Sequence, residues 1–149
     1  MAVTGALRSL AFMTIAFASL GCQAIGNPEA PDHLGEFRSE ASSHERAIFQ
    51  DAQTTSGSME AYRDYIEFLE KALAAASSGL EAELSDSERK AFNNSQAAWE
   101  AYRQSEKSFV SSVWTPQNFG SSSSFSRLAF YADIVRSRIE MLQKYRMQF

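Results

Sequence analysis

The sequence predicts an all-α fold, a small antiparallel bundle of three main helices with a possible short fourth helix at its N-terminal end. Three observations lead to this fold class. Apolar residues recur at intervals of three or four, which is the period of one helix face. No segment alternates apolar and polar residues for long enough to form a strand. Clusters of proline, glycine and serine separate the periodic stretches. The chain, 149 residues in all, suits one small domain and not two.

The clearest predicted element is a long helix from Ser85 to Trp114. Ser85 and Glu88 have the spacing of a capping box, in which each side chain satisfies a free amide group at the start of a helix. Behind them the apolar stripe continues without a glycine or a proline. The same helix carries a compact polar and aromatic motif, formed by Gln96, Trp99, Tyr102 and Arg103.

Further helices are predicted on both sides of this element. One begins near Ser58 and ends near Leu84, with a weak point at Gly79, because glycine costs ~1 kcal/mol relative to alanine inside a helix. One kinked helix is favoured there, and a break is the alternative. The last helix runs over residues 125–145. A short helix is plausible over residues 43–53, and a flexible loop rich in proline, glycine and serine over residues 115–124.

Charge is distributed unevenly between these helices. Residues 58–90 are acidic and residues 125–149 are basic, so the helices that carry them should lie side by side, although each exposed ion pair contributes only ~0.2–1 kcal/mol. The whole chain has a net charge of −4. That balance does not suit nucleic acid as a partner. It would speed the encounter with a basic protein, but it is equally typical of a protein that is acidic for solubility alone.

The pattern of residues 1–21 is typical of a lipoprotein signal peptide. A short segment with one positive charge, Arg8, precedes the apolar run Leu10–Leu20. That run is too short for the ~20 residues that a membrane-spanning helix needs. It leads through small residues to Cys22, and this ending resembles a bacterial lipobox, where a signal peptidase cuts before a cysteine that is then acylated.

Cys22 is the only cysteine of the chain, so it cannot form an internal disulfide, and acylation explains an otherwise unpaired thiol. The alternative is an ordinary secretory signal cut nearby, for example after Ala24. Residues 22–42 predict the acylated cysteine and a flexible tether, followed by a helical domain over residues 43–149. The protein is therefore expected in the cell envelope, lipid-anchored and facing the periplasm, on the outer membrane if the host is Gram-negative. If Cys22 is not acylated, it is secreted.

Catalytic, cofactor and metal sites find little support in the sequence. The two histidines, His33 and His44, are not spaced as metal ligands, and the chain has no second cysteine that could complete a metal site with them. There is no arrangement of nucleophile and base, and no phosphate-binding glycine loop. Carboxylates spaced three or four apart are typical of a solvated helix face. We therefore predict a protein without a cofactor or a metal that is not an enzyme.

Several residues between Leu80 and Leu142 form a pattern with a characteristic order and spacing. They are Leu84, the motif Gln96-x-x-Trp99-x-x-Tyr102-Arg103, the pair Gly120-Ser121, and Arg136-x-Arg138. In that order they resemble the LprI-like lysozyme-inhibitor family. The resemblance implies a small helical envelope domain and a protein partner, with lysozyme as that partner.

The chain departs from the family pattern at one cysteine pair, which the resemblance implies to be a disulfide between two helices. Lys107 and Phe130 stand at those two positions here. Because loss of a native disulfide costs ~2–5 kcal/mol, aromatic packing is expected to replace it, by Phe109, Phe125, Phe130 and Tyr131.

Two interpretations of the motif stay open. Gln96 and Arg103 share a helix face with Trp99, so they could bond to buried groups and fix the register of the helix, with Trp99 as a central anchor. In the other interpretation the same set forms an exposed recognition patch, with Tyr102 beside it and Arg136 and Arg138 from the last helix.

The leading prediction is a lipid-anchored envelope protein whose helical domain binds a protein partner, namely lysozyme. A cationic lysozyme would be attracted by acidic residues, such as Glu60, Asp64, Glu67 and Glu70, or blocked by an inserted loop. One alternative is a structural module that scaffolds an envelope complex without inhibiting an enzyme. Another is a helical bundle that binds a small apolar ligand among its aromatic side chains.

Overall fold

The computed structural model describes residues 31–149. The predicted signal peptide, Cys22 and the start of the tether lie outside the described residues. The described part of the chain is helical throughout and contains no strand. Its helices are α1 (His33–Arg46), α2 (Thr55–Glu83), α3 (Asp86–Val113), α4 (Pro116–Phe119) and α5 (Ser123–Arg146). The predicted all-α fold is confirmed.

The long helices α1, α2 and α3 each follow a polar residue that satisfies free backbone amides. The carboxylate of Asp32 accepts from the N–H of Gly35 at 2.8 Å. The hydroxyl of Thr54 accepts from the N–H of Gly57 at 3.0 Å, so α2 begins earlier than Ser58. Before α3, the carboxylate of Glu88 accepts from the Ser85 N–H at 2.9 Å, as the capping-box spacing predicts.

The core lies chiefly between α2 and α5, which form the most extensive helix pair. Its side chains are almost inaccessible to water, and they are Leu69, Leu73, Ala76, Val135, Ile139 and Leu142. This pairing confirms that the acidic and basic helices lie side by side. Because α2 and α5 bury continuous apolar stripes against each other, hydrophobic contact stabilises their pairing and the charge difference only favours it.

The fold contains one more long helix at its N-terminal end than the sequence predicts. Residues 33–42, predicted as part of a flexible tether, belong to α1, and the helical domain begins well before residue 43. Leu34, Phe37 and Ala41 are buried at helical spacing, so this segment covers part of the core. The prolines just before it and its many charged residues hid that stripe. The residues predicted as a short helix form the end of α1 and a π-helical turn, Ala47–Asp51.

Helix α2 is unbroken through Gly79. The prediction of one helix is therefore confirmed, and the alternative of a break is wrong. The glycine makes room for a neighbour, because a Cβ built at Gly79 would lie 2.7 Å from Cζ of Arg146. None of the helices within residues 31–149 is long and apolar enough to cross a membrane.

Residues 115–124 are helical instead of forming the predicted flexible loop. Pro116 begins α4, where a fixed φ suits the first helical position. Gly120 has a φ of 65°, which glycine adopts without strain, and it starts the 3-10 turn Gly120–Ser122 that leads into α5. Ser123 is 1 % exposed, so the serine run is partly buried.

Candidate functional site

Gln96 lies where three helices meet. Its Oε1 accepts a hydrogen bond from Nε of Arg138 on α5 at 2.8 Å. Its Nε2 donates to the hydroxyl of Ser77 on α2 at 2.8 Å. Arg138 is only 6 % exposed and also donates to Ser95 at 3.3 Å. One amide therefore joins α3 to both helices of the core pair and supplies a partner to a buried guanidinium group.

Arg103 makes a second link, two turns further along α3. Its Nη1 donates to the two carboxylate oxygens of Glu70 on α2, at 2.9 and 3.1 Å, and its Nη2 lies 2.7 Å from Glu100. The hydroxyl of Tyr131 on α5 donates to the same Glu70 carboxylate at 2.6 Å. Burial, together with this hydrogen bond, raises the pKa of Tyr131 to about 12, so the hydroxyl stays protonated and donates at neutral pH.

Trp99 lies between these two arginines. Cζ of Arg103 is 4.9 Å from the centre of the indole ring, and Cζ of Arg138 is 5.7 Å from it. Both distances are within the range of cation–π contacts. Burial lowers the pKa of Arg138 from its ordinary value, but a guanidinium group starts so high that it stays charged at neutral pH. The cluster is thus a charged and aromatic layer between α2, α3 and α5.

Two of the predicted site residues take no part in the hydrogen bonds of this layer. Tyr102 is 51 % exposed and lines a shallow groove between α3 and α5 that Trp99 and Arg138 also border. Arg136 faces α1, where its Nη1 lies 2.5 Å from Glu45. The structure therefore brings Gln96, Trp99, Arg103 and Arg138 together, but places Tyr102 at a rim and Arg136 in a separate ion pair.

The acidic residues of α2 divide into two groups. Glu60 and Asp64 are exposed, and neither forms an ion pair with another residue in the range 31–149. Glu67 points outward as well and pairs with Lys71 at 2.7 Å. Glu70 binds Arg103 and Tyr131 instead, so its charge is largely offset within the fold, although its side chain is 37 % exposed. Spacing alone did not separate Glu70 from its neighbours, because its partners lie on distant helices.

Both histidines have partners in the structure; the partner of His33 lies within α1 and that of His44 lies on α2. Nδ1 of His33 lies 3.4 Å from the carboxylate of Glu36. The ring of His44 stacks on that of Phe68, with 4.6 Å between the ring centres. Within residues 31–149, no three His, Cys, Asp or Glu side chains are grouped so that they could hold a metal ion.

Aromatic packing occurs near the positions of the family's cysteine pair. Phe125 packs edge-on against Tyr62 at 5.0 Å between ring centres, and Phe130 packs against Trp114 at 5.4 Å. Nζ of Lys107 lies 5.1 Å from the centre of the Tyr131 ring. The expectation is wrong for Phe109, which is 61 % exposed and contributes little to the core.

A family model described as the lysozyme inhibitor LprI matches residues 49–142. The chain belongs to the LprI lysozyme-inhibitor family. The matched range contains α2, α3 and most of α5, and hence the whole layer around Trp99. Comparisons with curated proteins and with solved structures give no significant match. LprI membership confirms the resemblance. It indicates that the protein is an inhibitor and not an enzyme, that its partner is lysozyme and that its location is extracytoplasmic.

Proposed function

We propose that this protein inhibits lysozyme by binding it through the outer face of α2. The observation that carries the proposal is the match of residues 49–142 to a family of lysozyme inhibitors. The structure adds a surface of suitable charge, which contains Glu60, Asp64 and Glu67. The first two carboxylates have no cationic partner among residues 31–149, so they are available to a cationic enzyme.

Charge of this kind acts mainly on the rate of encounter. Exposed carboxylates attract a cationic protein over distances comparable to the Debye length, which is ~8 Å at physiological ionic strength. They speed association more than they strengthen the final complex. Inhibition through the outer face of α2 should therefore weaken as salt is added.

We infer that the layer around Trp99 supports this surface from behind without contacting lysozyme itself. Glu70 lies one turn from Glu67 on α2, and its carboxylate is held by Arg103 and Tyr131. Arg103, Gln96 and Arg138 are mostly buried, so their role is to fix α3 against the core pair. Tyr102 is the one motif residue with enough exposed area to contact a partner.

We also propose that Cys22 is acylated and holds the protein at the envelope. The support comes from the sequence, where an apolar run ends in small residues before the chain's single cysteine. A clickable palmitate analogue fed to cells should label the protein, and Cys22→Ser should abolish the label. Equal labelling of both forms would contradict acylation at this residue.

The inhibitory function is tested by the rate at which lysozyme lyses cell walls in the presence of the purified protein. We expect dose-dependent inhibition at low salt that becomes weaker at moderate salt. Absence of inhibition at high micromolar protein would overturn the proposal. Inhibition that is indifferent to salt would keep the activity but move the binding surface away from the carboxylates of α2.

A further inference from the structure

A half-open cavity lies where the C-terminal half of α3 meets α2 and α5. Its volume is about 430 Å³, within the range of ~300–1,000 Å³ that is usual for small-molecule sites. Most of the lining is apolar, and it comes from all three helices. The apolar residues include Met59, Ile66, Val110, Leu128, Phe130 and Ile134.

The remaining lining residues include three cations, one from each helix. They are Arg63 on α2, Lys107 on α3 and Arg127 on α5. No carboxylate is among the residues that line the cavity. Within residues 31–149, none of the three cations forms an ion pair. In a chain with a net charge of −4, three cations around one apolar space are a marked local excess of positive charge.

The contacts that two of these cations make leave their charge uncompensated. Nζ of Lys107 lies over the ring of Tyr131, 5.1 Å from its centre, which is a contact without a counter-charge. Nη2 of Arg127 donates to the neutral hydroxyl of Ser124 at 3.3 Å. Arg63 and Lys107 are exposed and Arg127 is half-buried, so their charges meet solvent beside the apolar lining. An anion bound among them would relieve their mutual repulsion.

We propose that this cavity binds a single-chain amphiphile with an anionic head group, of which a fatty acid is the simplest. The alkyl chain lies among the apolar residues, and the carboxylate lies near Arg63, Lys107 and Arg127. The ligand class follows from charge complementarity combined with an apolar interior of suitable size. The proposal is separate from lysozyme inhibition, because none of Glu60, Asp64 and Glu67 lines the cavity, although Arg63 borders the outer face of α2.

The proposal is tested by titrating dodecanoate, below its micelle concentration, into the purified protein in a calorimeter. Dodecanol and dodecyltrimethylammonium serve as probes with the same chain and a different head. We expect saturable binding of dodecanoate, binding of dodecanol about tenfold weaker, and no binding of the cationic amphiphile. Equal affinity for dodecanoate and dodecanol would overturn the anionic preference. Failure of dodecanoate to bind the protein would overturn the site.

Variants locate the binding within the fold. Arg63→Gln combined with Lys107→Gln should weaken dodecanoate binding about tenfold and leave dodecanol binding unchanged. The matched control is Arg46→Gln combined with Lys90→Gln, which removes the same charges from exposed positions outside this cavity. Equal loss in both double variants would contradict the assigned site, because it would indicate an effect of net charge alone.

A second variant tests the apolar part of the cavity. Ile134→Trp fills space at a half-buried lining position and should abolish the binding of both dodecanoate and dodecanol. Circular dichroism checks that the helices are retained. If a folded Ile134→Trp protein still binds dodecanoate with unchanged affinity, the chain does not lie in this cavity and the proposal fails.

Discussion

At the residue scale, Gln96 decides whether a buried charge has a partner. Its side chain accepts from Arg138, which is 6 % exposed. We expect Gln96→Ala to lower the free energy of unfolding by about 2–3 kcal/mol, because a buried guanidinium group loses its main acceptor. Urea denaturation measures this change. Gln104→Ala, which removes an exposed amide from the same helix, should cost less than about 0.5 kcal/mol. Similar losses in the two variants would contradict the role given to Gln96.

An ion pair between α1 and α5 predicts how stability depends on pH. Arg38 donates to both carboxylate oxygens of Glu140, at 2.8 and 3.2 Å, and this bonding lowers the pKa of Glu140. A carboxyl group whose pKa is lower in the folded state stabilises the protein above its unfolded pKa, near ~4.3. That stabilisation is lost as pH falls through the lower, folded value.

Removal of the Glu140 charge should therefore reduce the sensitivity of the fold to acid. We expect Glu140→Gln to be slightly less stable than the native chain at neutral pH, by up to about 1 kcal/mol. It should also lose less stability than the native chain on acidification to about pH 3. Thermal unfolding at a series of pH values checks both statements. Glu40→Gln, at an exposed position without an ion pair among residues 31–149, is the control and should follow the native curve.

The sequence predicted which motif residues share a face of α3, because helical spacing determines that directly. It did not predict their partners. Ser77 is 19 residues from its partner Gln96, and Glu70 is 33 residues from Arg103. Tyr131, which shares the Glu70 carboxylate, lies on α5. Nothing in the local sequence of these three residues marks them as partners. Glu70 shows the limit most clearly, since its spacing from Glu67 gave no sign of its tertiary contacts with Arg103 and Tyr131.

At the scale of elements, two glycines in helices should respond in opposite ways to alanine. In α2, Gly79→Ala should stabilise the protein by about 0.5–1 kcal/mol, because helix propensity improves and the Arg146 side chain is flexible enough to move aside. In α1, a Cβ at Gly35 would lie 2.2 Å from the Asp32 carboxylate that caps the helix. Gly35→Ala should therefore cost about 0.5–2 kcal/mol. Urea denaturation of both variants decides this; a destabilised Gly79→Ala protein would mean that Arg146 is held rigidly.

Helix α3 should open more readily than its neighbours. Val110 is its only buried residue, and its other core contacts come from the partly buried Phe92 and Trp99. We expect backbone amides in the middle of α3 to exchange with solvent deuterium faster than those in the middle of α2 and α5, because local opening of α3 exposes little apolar area. Hydrogen exchange followed by mass spectrometry compares the three helices. Equal protection across them would contradict the description of α3 as a peripheral element.

The elements show why some helices were predicted and one was not. Helices α2 and α5 have long apolar stripes, so their period alone identified them. In α1 the stripe is short, and charged residues and two nearby prolines gave it the composition of a linker. Residues 115–124 also have a loop composition, yet Pro116 and Gly120 are placed so that a short helix and a turn form there.

At the scale of the whole molecule, family membership indicates a role outside the cytoplasm. The pair α2 and α5 packs together at the core, and the outer face of α2 presents Glu60 and Asp64 to solvent. Family membership indicates lysozyme as the partner, and the exposed carboxylates suit a cationic protein. Binding through the outer face of α2 is our proposal, and it is tested by changing charges on different faces of the protein.

The most direct measurement compares two double variants in the lysozyme assay. Glu60→Lys combined with Asp64→Lys reverses charge on the outer face of α2. Glu40→Lys combined with Asp51→Lys makes the same change in net charge at exposed positions on α1 and the turn that follows it. We predict that the first variant loses inhibition about tenfold or more at low salt, whereas the second keeps most of it. Equal inhibition by the two variants, or a larger loss in the second, would contradict binding through α2.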